Sequence, residues 1–309
     1  MWRSVIVCNG NKLALKDYRL VVFEDEKSSN IPIDDLHGIV IDNQEAVLTV
    51  PLLSCLAEKG VHAVICDKKH LPVGIFLPLN IHYKSYGVLK DQMRLDYGFC
   101  GEVWKEIVQA KIYNQASVLS LVGVETEIVD RMKELSYEVL PHDTGNREGV
   151  AAKMFFRALY GSSFIRFEDD SINSAINYGY AILRSSVAKF LVSHGLNCAL
   201  GVHHISETNP FNLADDFMEP YRPYVDLTVV SNPDLFSRDL TKKSRRELID
   251  LLNKEVCYSN STMKMRYAID AMVKSFLTSI DRKDAKLCRF PSFEIMSDES
   301  ENYEIDDLL

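Results

Sequence analysis

Residues 171–195 read SINSAINYGYAILRSSVAKFLVSHG, and this stretch decides the architecture of the second half of the chain. Ile172, Ala175, Ile176, Gly179, Leu183, Val187, Phe190 and Leu191 recur at three and four, the spacing of one helix face. Ser171 is a candidate N-cap and Gly195 a candidate stop. About 23 helical residues span roughly 35 Å, enough to run through the middle of a helical domain. Gly179 weakens such a helix by about 1 kcal/mol against alanine, which predicts a second backbone packed close to it. The same period predicts helices at 101–121, 123–136, 148–160, 241–256 and 263–281.

Toward the N-terminus the pattern changes. SVIVC, LVVFE, HGIVID and VHAVICD are short β-branched runs separated by turn residues, and they read as strands. One helix interrupts them, with Thr49 as N-cap, Pro51 in its first turn and Gly60 after its end. The expected fold class is α+β. A β-rich N-terminal domain, 1–88, precedes an all-helical domain, 89–285, and an acidic tail, 286–309. The boundary near 82–92 rests on the change of period alone.

Several function classes drop out. There is no G-x-G-x-x-G and no P-loop, so a nucleotide cofactor is not indicated. The seven cysteines form no C-x-x-C pair, which argues against a zinc knuckle and a disulfide framework. No apolar run reaches the roughly 18 residues of a membrane span and no signal peptide is evident, so a cytoplasmic location is expected. The net charge of −9 seems unfriendly to nucleic acid. Seven acidic and no basic residues follow Arg289, however, and a nearly neutral body can carry a local basic face.

Chemistry concentrates in residues 199–226, ALGVHHISETNPFNLADDFMEPYRPYVD. Two histidines precede a loop rich in Asn, Thr and Pro. A short helix then presents Asp215, Asp216 and Glu219, which can share one face. Pro220 and Pro223 stop that helix and leave Glu219 near its C-terminal end, where the dipole disfavours a carboxylate. Clustered like charges need a cation, an arginine or water. On these residues alone a metal site and an ordinary acidic turn stay open as readings.

Three blocks together resemble the signature of the CRISPR-associated Cas1 family. Glu148 and Gly149 open a helix in an E-G-x-x-A context. Asn173, Asn177, Tyr178, Gly179, Tyr180 and Leu183 match its N-x-x-x-N-Y-G-Y-x-x-L core helix. Gly201 and His204 are followed by Leu213, Ala214, Asp216, Glu219, Pro220, Arg222 and Pro223, matching L-A-x-D-x-x-E-P-x-R-P. The resemblance covers about residues 1–285. In length and block style it is most similar to the subtype that accompanies the Cas9 effector.

The resemblance implies that Glu148, His204 and Glu219 are catalytic residues and ligands of Mg²⁺ or Mn²⁺. Two carboxylates and an imidazole suit a hard dication that keeps positions for water and phosphate oxygens. Adjacent histidines in extended chain point to opposite sides, and the family register selects His204. His203 is then expected in a hydrogen-bonded structural role or on DNA. Asp216 supports the ligands from behind, Arg222 pairs with Asp216 or a phosphate, and Asn177 packs on the central helix. Lys153, Arg157, Lys242, Lys243, Arg245 and Arg246 are candidate DNA contacts.

By the same resemblance the chain is a CRISPR adaptation integrase acting on double-stranded DNA, the prespacer and the CRISPR array. A prespacer 3′-hydroxyl attacks a phosphodiester at the leader–repeat boundary, with no protein nucleophile. The N-terminal domains build a homodimer, and Cas2 bridges two such dimers. The alternatives are a metal-dependent DNA endonuclease and a non-catalytic DNA-binding assembly subunit. In the acidic tail Phe290, Phe293, Ile295, Met296, Tyr303, Ile305, Leu308 and Leu309 interrupt the charge. Part of the tail is therefore expected to dock, on a partner or on the chain's own basic surface, against the bland alternative of a solvated end.

Overall fold

The computed structural model describes residues 3–9, 12–24, 27–68, 70–79, 82–166 and 168–293. Its N-terminal part contains strands β1 (Arg3–Val7), β2 (Lys12–Lys16), β3 (Arg19–Glu24), β4 (Lys27–Pro32), β5 (Leu36–Ile41) and β6 (Val47–Leu48). Helix α1 (Val50–Glu58) and strands β7 (His62–Cys66) and β8 (Pro72–Phe76) complete it. The four expected strands are β1, β3, β5 and β7. One sheet has the order β1-β5-β7-β8, parallel except for β8; the other has the order β4-β3-β2-β6. Thr49 caps α1 by position, without a side-chain bond, and Gly60 follows the helix at φ +67°.

The first sheet is covered on both faces. Leu36, Ile39, Ile41 and Ala63 pack with Leu13, Leu20, Leu52 and Leu56 in a small N-terminal core. Val40, Val64 and Cys66 turn the other way and join the large helical core. Alternation along a strand makes this possible, since successive side chains point to opposite faces. Two polar links cross the same junction. Arg245 Nη2 lies 2.8 Å from Asp42 Oδ2, and Lys189 Nζ donates to the His37 carbonyl at 2.7 Å.

The rest is helical: α2 (Ser85–Gln92), α3 (Tyr97–Leu121), α4 (Thr126–Tyr137), α5 (Arg147–Tyr160), α6 (Ser171–Ser193), α7 (Asn212–Met218), α8 (Arg222–Val230), α9 (Pro233–Phe236), α10 (Lys242–Asp250) and α11 (Met265–Arg282). The expected all-helical character of 89–285 is broken by one antiparallel hairpin, β9 (Glu255–Tyr258) and β10 (Ser261–Lys264), which precedes α11. α3 touches α4, α5, α7 and α8, and α6 touches α7, α8, α10 and α11. No helix among the described residues is long and apolar enough to cross a membrane.

Four local expectations change. The N-cap of α6 is Asp170, whose side chain accepts from Asn173 N, rather than Ser171. At Gly179 the close neighbour is a side chain, not a backbone: a Cβ there would stand 2.5 Å from Val225 Cγ1. The helix expected over 241–256 ends at Asp250, because one tight turn through Leu251–Asn253 leads into β9. Pro220 and Pro223 start helical turns instead of stopping them, since proline lacks only an N–H that a first turn leaves unpaired.

Of the tail, Phe290 and Phe293 pack against the helical core. Phe293 stacks on Tyr224 with ring centroids 4.0 Å apart. Ser292 pairs with Cys257 in an isolated bridge. Ile295, Met296, Tyr303, Ile305, Leu308, Leu309 and all seven acids lie outside the described residues.

Candidate active site

The site is assembled at α3. Val103, Trp104, Ile107 and Val108 lie on its buried face, and Lys111 continues that face. Its ammonium is thereby carried inward, to Glu148 Oε1 at 2.6 Å and Glu219 Oε2 at 2.5 Å. Burial opposes the charge on Lys111, but Glu219 and Glu148 outweigh it and hold its pKa above the ordinary value. Burial would raise Glu148, yet Lys111 overrides it and lowers that carboxyl.

Glu148 reaches this point from the first turn of α5. Asp143 caps that turn, accepting from Arg147 N at 2.8 Å and Glu148 N at 2.9 Å. A carboxylate in a first turn is also favoured by the helix dipole. Glu219 follows the last residue of α7 and is buried. Its Oε1 pairs with Arg222 Nη1 at 2.8 Å. Arg222 therefore serves Glu219 and not Asp216, and its guanidinium lies 4.6 Å from the Tyr180 ring centroid.

Asp216 is fully buried and is the fixed point of the histidine loop. It accepts backbone bonds from Val202, His203 and His204 at 2.7–3.1 Å. His204 Nδ1 donates to its Oδ1 at 2.6 Å. That bond raises the His204 pKa against the pull of burial, and it leaves Nε2 as the ring's remaining ligand atom. Gly201 permits the fold-back, because a Cβ there would meet His204 O and stand 2.8 Å from Asp216 Oδ2.

The two histidines do not point to opposite sides. His203 lies flat on Trp104 at 4.1 Å, and His204 stands edge-on to the same indole at 5.6 Å. His203 is thus held by its ring stack together with its backbone bond to Asp216, and burial lowers its pKa. Asp215 leaves the cluster altogether and pairs with Arg184 at 2.6 Å. Asn177 is exposed and accepts from Arg166 at 2.8 Å.

Among the basic candidates, Lys153, Arg157, Lys242, Lys243 and Arg246 are exposed. Arg245 is not available to DNA: it is buried against Asp42. Sequence reasoning missed Lys111 and Trp104. The signal was present, since Lys111 stands at helical spacing from Trp104, Ile107, Val108 and Gln115, all on one buried face.

The donor set fits a divalent ion in two respects. Glu219 Oε2 is buried and makes no hydrogen bond of acceptable geometry, despite the nearby ammonium. His204 is oriented through Nδ1 in the manner of a metal-ligating histidine. Lys111, however, stands between the carboxylates. Among the described residues no three His, Cys, Asp or Glu side chains are close enough to enclose an ion.

Comparison with known proteins adds sequence and fold. Residues 5–245 match the family model described as CRISPR associated protein Cas1. A CRISPR-associated endonuclease Cas1 from Neisseria meningitidis serogroup C (strain 8013) is 39% identical over 292 residues, 94% of this chain and 96% of the relative. A casposase bound to integration product superposes with a TM-score of 0.75 at 20% identity, covering 96% of both chains. A Cas6-RT-Cas1–Cas2 complex gives 0.73 at 18% identity over 96% of this chain and 36% of that one. The last two likenesses concern the fold.

Proposed function

The chain belongs to the Cas1 family, and on that premise we propose that it is a CRISPR adaptation integrase that joins the 3′-hydroxyl of a short DNA to a phosphodiester at the leader–repeat boundary. The observation that carries this reading is the convergence of Glu148 and Glu219 on one buried cation, beside a histidine oriented by a buried aspartate.

In this reading Glu148, Glu219 and His204 Nε2 hold Mg²⁺ or Mn²⁺. When bound, the ion supplies charge stabilisation at the scissile phosphate and the leaving oxygen. The protein's own contribution is placement. Asp216 fixes the imidazole, Arg222 restrains Glu219, and Trp104 backs both histidine rings. One P–O bond forms to the incoming 3′-oxygen as the bond to the array's 3′-oxygen breaks. The proton lost by the first hydroxyl is balanced by one gained at the second. Phosphodiesters are conserved, so the reaction needs no nucleoside triphosphate.

A homodimer, and two dimers bridged by Cas2, belong to the same proposal. The fold shared with a chain of a Cas1–Cas2 complex supports it. Assignment to the subtype accompanying Cas9, on length and block style, is part of the same proposal; a Cas9 gene beside this one is the check. The endonuclease reading has one observation in its favour, the name of the Neisseria relative. A strand-transfer assay decides between them, using a supercoiled array plasmid, Cas2 and Mn²⁺ or Mg²⁺. Covalently joined product is expected; plasmid that is only cut would favour the endonuclease.

A further inference from the structure

The chain reaches Glu148 through a turn in a sparsely populated conformation. His142, Asp143 and Asn146 have φ of +57°, +47° and +48°, a region that residues with a Cβ seldom enter. Such conformations persist only where the surroundings hold them, and they gather at working sites. Thr144, Gly145 and Asn146 are exposed. The backbone bonds inside the turn run from Asp143 N to Leu140 O and from Asn146 N to Asp143 O, both at 2.8 Å. They shape the turn but do not fix where it sits. Arg147 pairs with Glu138 at 2.8 Å on the partly exposed side, where an ion pair contributes little.

The anchor is the His142 ring. It lies on Tyr97 with centroids 3.8 Å apart and planes 23° from parallel, and its Nε2 donates to the Tyr97 carbonyl at 2.8 Å. One turn further along α3 comes Gly101. A Cβ there would stand 2.5 Å from His142 Cδ2, so the imidazole fills the space that a side chain would take. α3 thus carries a seat for this ring, on the same helix that carries Lys111.

The next residue passes the position on. Asp143 gives one oxygen to Arg147 N and the other to Glu148 N. Both therefore serve the amides that set the direction in which α5 leaves the turn. A cap that itself stands at φ +47° keeps its aim only while its neighbour is pinned. The chain of contacts runs from Tyr97 and Gly101 through His142 and Asp143 to the Glu148 backbone. From there the carboxylate reaches Lys111 at 2.6 Å.

We propose that His142 is a positioning residue for Glu148: its ring, seated on Tyr97 and Gly101, holds the left-handed turn that aims Glu148 into the site. The proposal rests on the reading of Glu148 as part of the reactive site. His142 acts through the backbone and touches no reacting group.

The test begins with strand transfer. His142→Ala should lose kcat roughly tenfold and keep KM for DNA within about twofold, because a displaced group slows the reaction without weakening binding. His142→Phe keeps a ring on Tyr97 and should recover most of the rate. Gly101→Ala fills the seat and should cost as much as His142→Ala, and the double variant should be no slower than either single change. Wild-type kcat in His142→Ala would overturn the proposal, as would a His142→Phe protein equally slow or losses that add. A raised KM with kcat intact would overturn it too, since His142 would then be a DNA contact.

Hydrogen exchange separates this proposal from the reading beneath it. Exchange at the Arg147 and Glu148 amides should accelerate roughly tenfold or more in His142→Ala and Gly101→Ala. The amide of Phe155, in the middle of α5, should not change, which also shows that the variants are folded. Equal exchange at Arg147 and Glu148 in all three proteins would overturn the positioning. Accelerated exchange together with a Glu148→Ala protein that transfers strands at the wild-type rate would leave the positioning standing and sink the integrase site.

Discussion

Asp42 and Glu219 are both buried carboxylates beside a buried cation, yet their surroundings differ. Asp42, at the junction of sheet and helices, gives one oxygen to Arg245 at 2.8 Å and the other to His70 Nδ1 at 2.7 Å. Both acceptors are used, and every partner belongs to the protein. Glu219 pairs one oxygen with Arg222, but its second faces Lys111 without a proper hydrogen bond. The same ammonium is shared with Glu148. A closed pair holds two layers together. The second cluster brings two carboxylates to one shared ammonium beside an oriented histidine, which is why it reads as the candidate site and the first as structure.

The comparison breaks first at the three proposed ligands. Glu148→Ala, His204→Ala and Glu219→Ala should each reduce strand transfer by about 10³-fold or more, with circular dichroism and elution volume unchanged. A His204→Ala protein that integrates at the wild-type rate would remove it from the site. At the junction the effect should appear in stability instead. Arg245→Met strands the Asp42 carboxylate and should cost about 3–5 kcal/mol in urea unfolding, while the fraction still folded keeps its strand-transfer rate. A variant that lost activity and kept its stability would reverse the assignment of the two clusters.

Asp216→Asn sharpens the difference further. It removes the acceptor that orients His204 and should lower Mn²⁺ affinity, read by titration calorimetry, about 10–100-fold.

A further effect is expected from Lys189, again at the junction. Burial lowers its pKa from 10.5 to about 7, against the pull of Asp270. His37 and His62 face it from the sheet and are held neutral by burial; Arg266 and Asp270 face it from α11. The folded state thus binds fewer protons at Lys189 than the unfolded chain does. Stability should rise as pH increases from about 7 toward 10.5, by up to about 5 kcal/mol. Lys189→Met should flatten that rise, and an unchanged slope would show that the ammonium is not desolvated. Smallest of all is His203→Ala, which loses a ring stack on Trp104 and should slow strand transfer only a few-fold. A loss equal to that of His204→Ala would leave the two histidines unresolved.

Part of the fold and of the candidate site is legible in the sequence, but the difference between the two clusters is not. The strands β1, β3, β5 and β7 announce themselves because they bury β-branched runs. KLALK and KSSNIP do not: β4 carries solvent-facing Lys27, Ser28, Ser29 and Asn30, and a strand with little buried surface leaves no alternation to find. The apolar pattern of α10 runs on through Leu251 and Leu252, so period alone placed the helix end too late. Glu148, His204 and Glu219, the proposed ligands, were picked out by sequence blocks, and the fold brings the two carboxylates to one ammonium. Lys111 belongs to none of those blocks, and only its place on a buried helix face marks it. Arg245 shows the converse error. In KKSRR every cation looks alike, but Arg245 stands three and four before buried Leu248 and Ile249, on the side that turns inward.

The first sheet keeps one face in each core, through Ile39 and Ala63 on one side and Val40 and Val64 on the other. The seam that the change of period places near residue 88 is consequently not a line along which the molecule can be taken apart. Releasing the N-terminal layer would bare Val40, Val64 and Cys66 together with the helix surface they cover. Neither half is a portable module. Heat should meet a single cooperative transition, and evolution can exchange the two halves only as a matched pair.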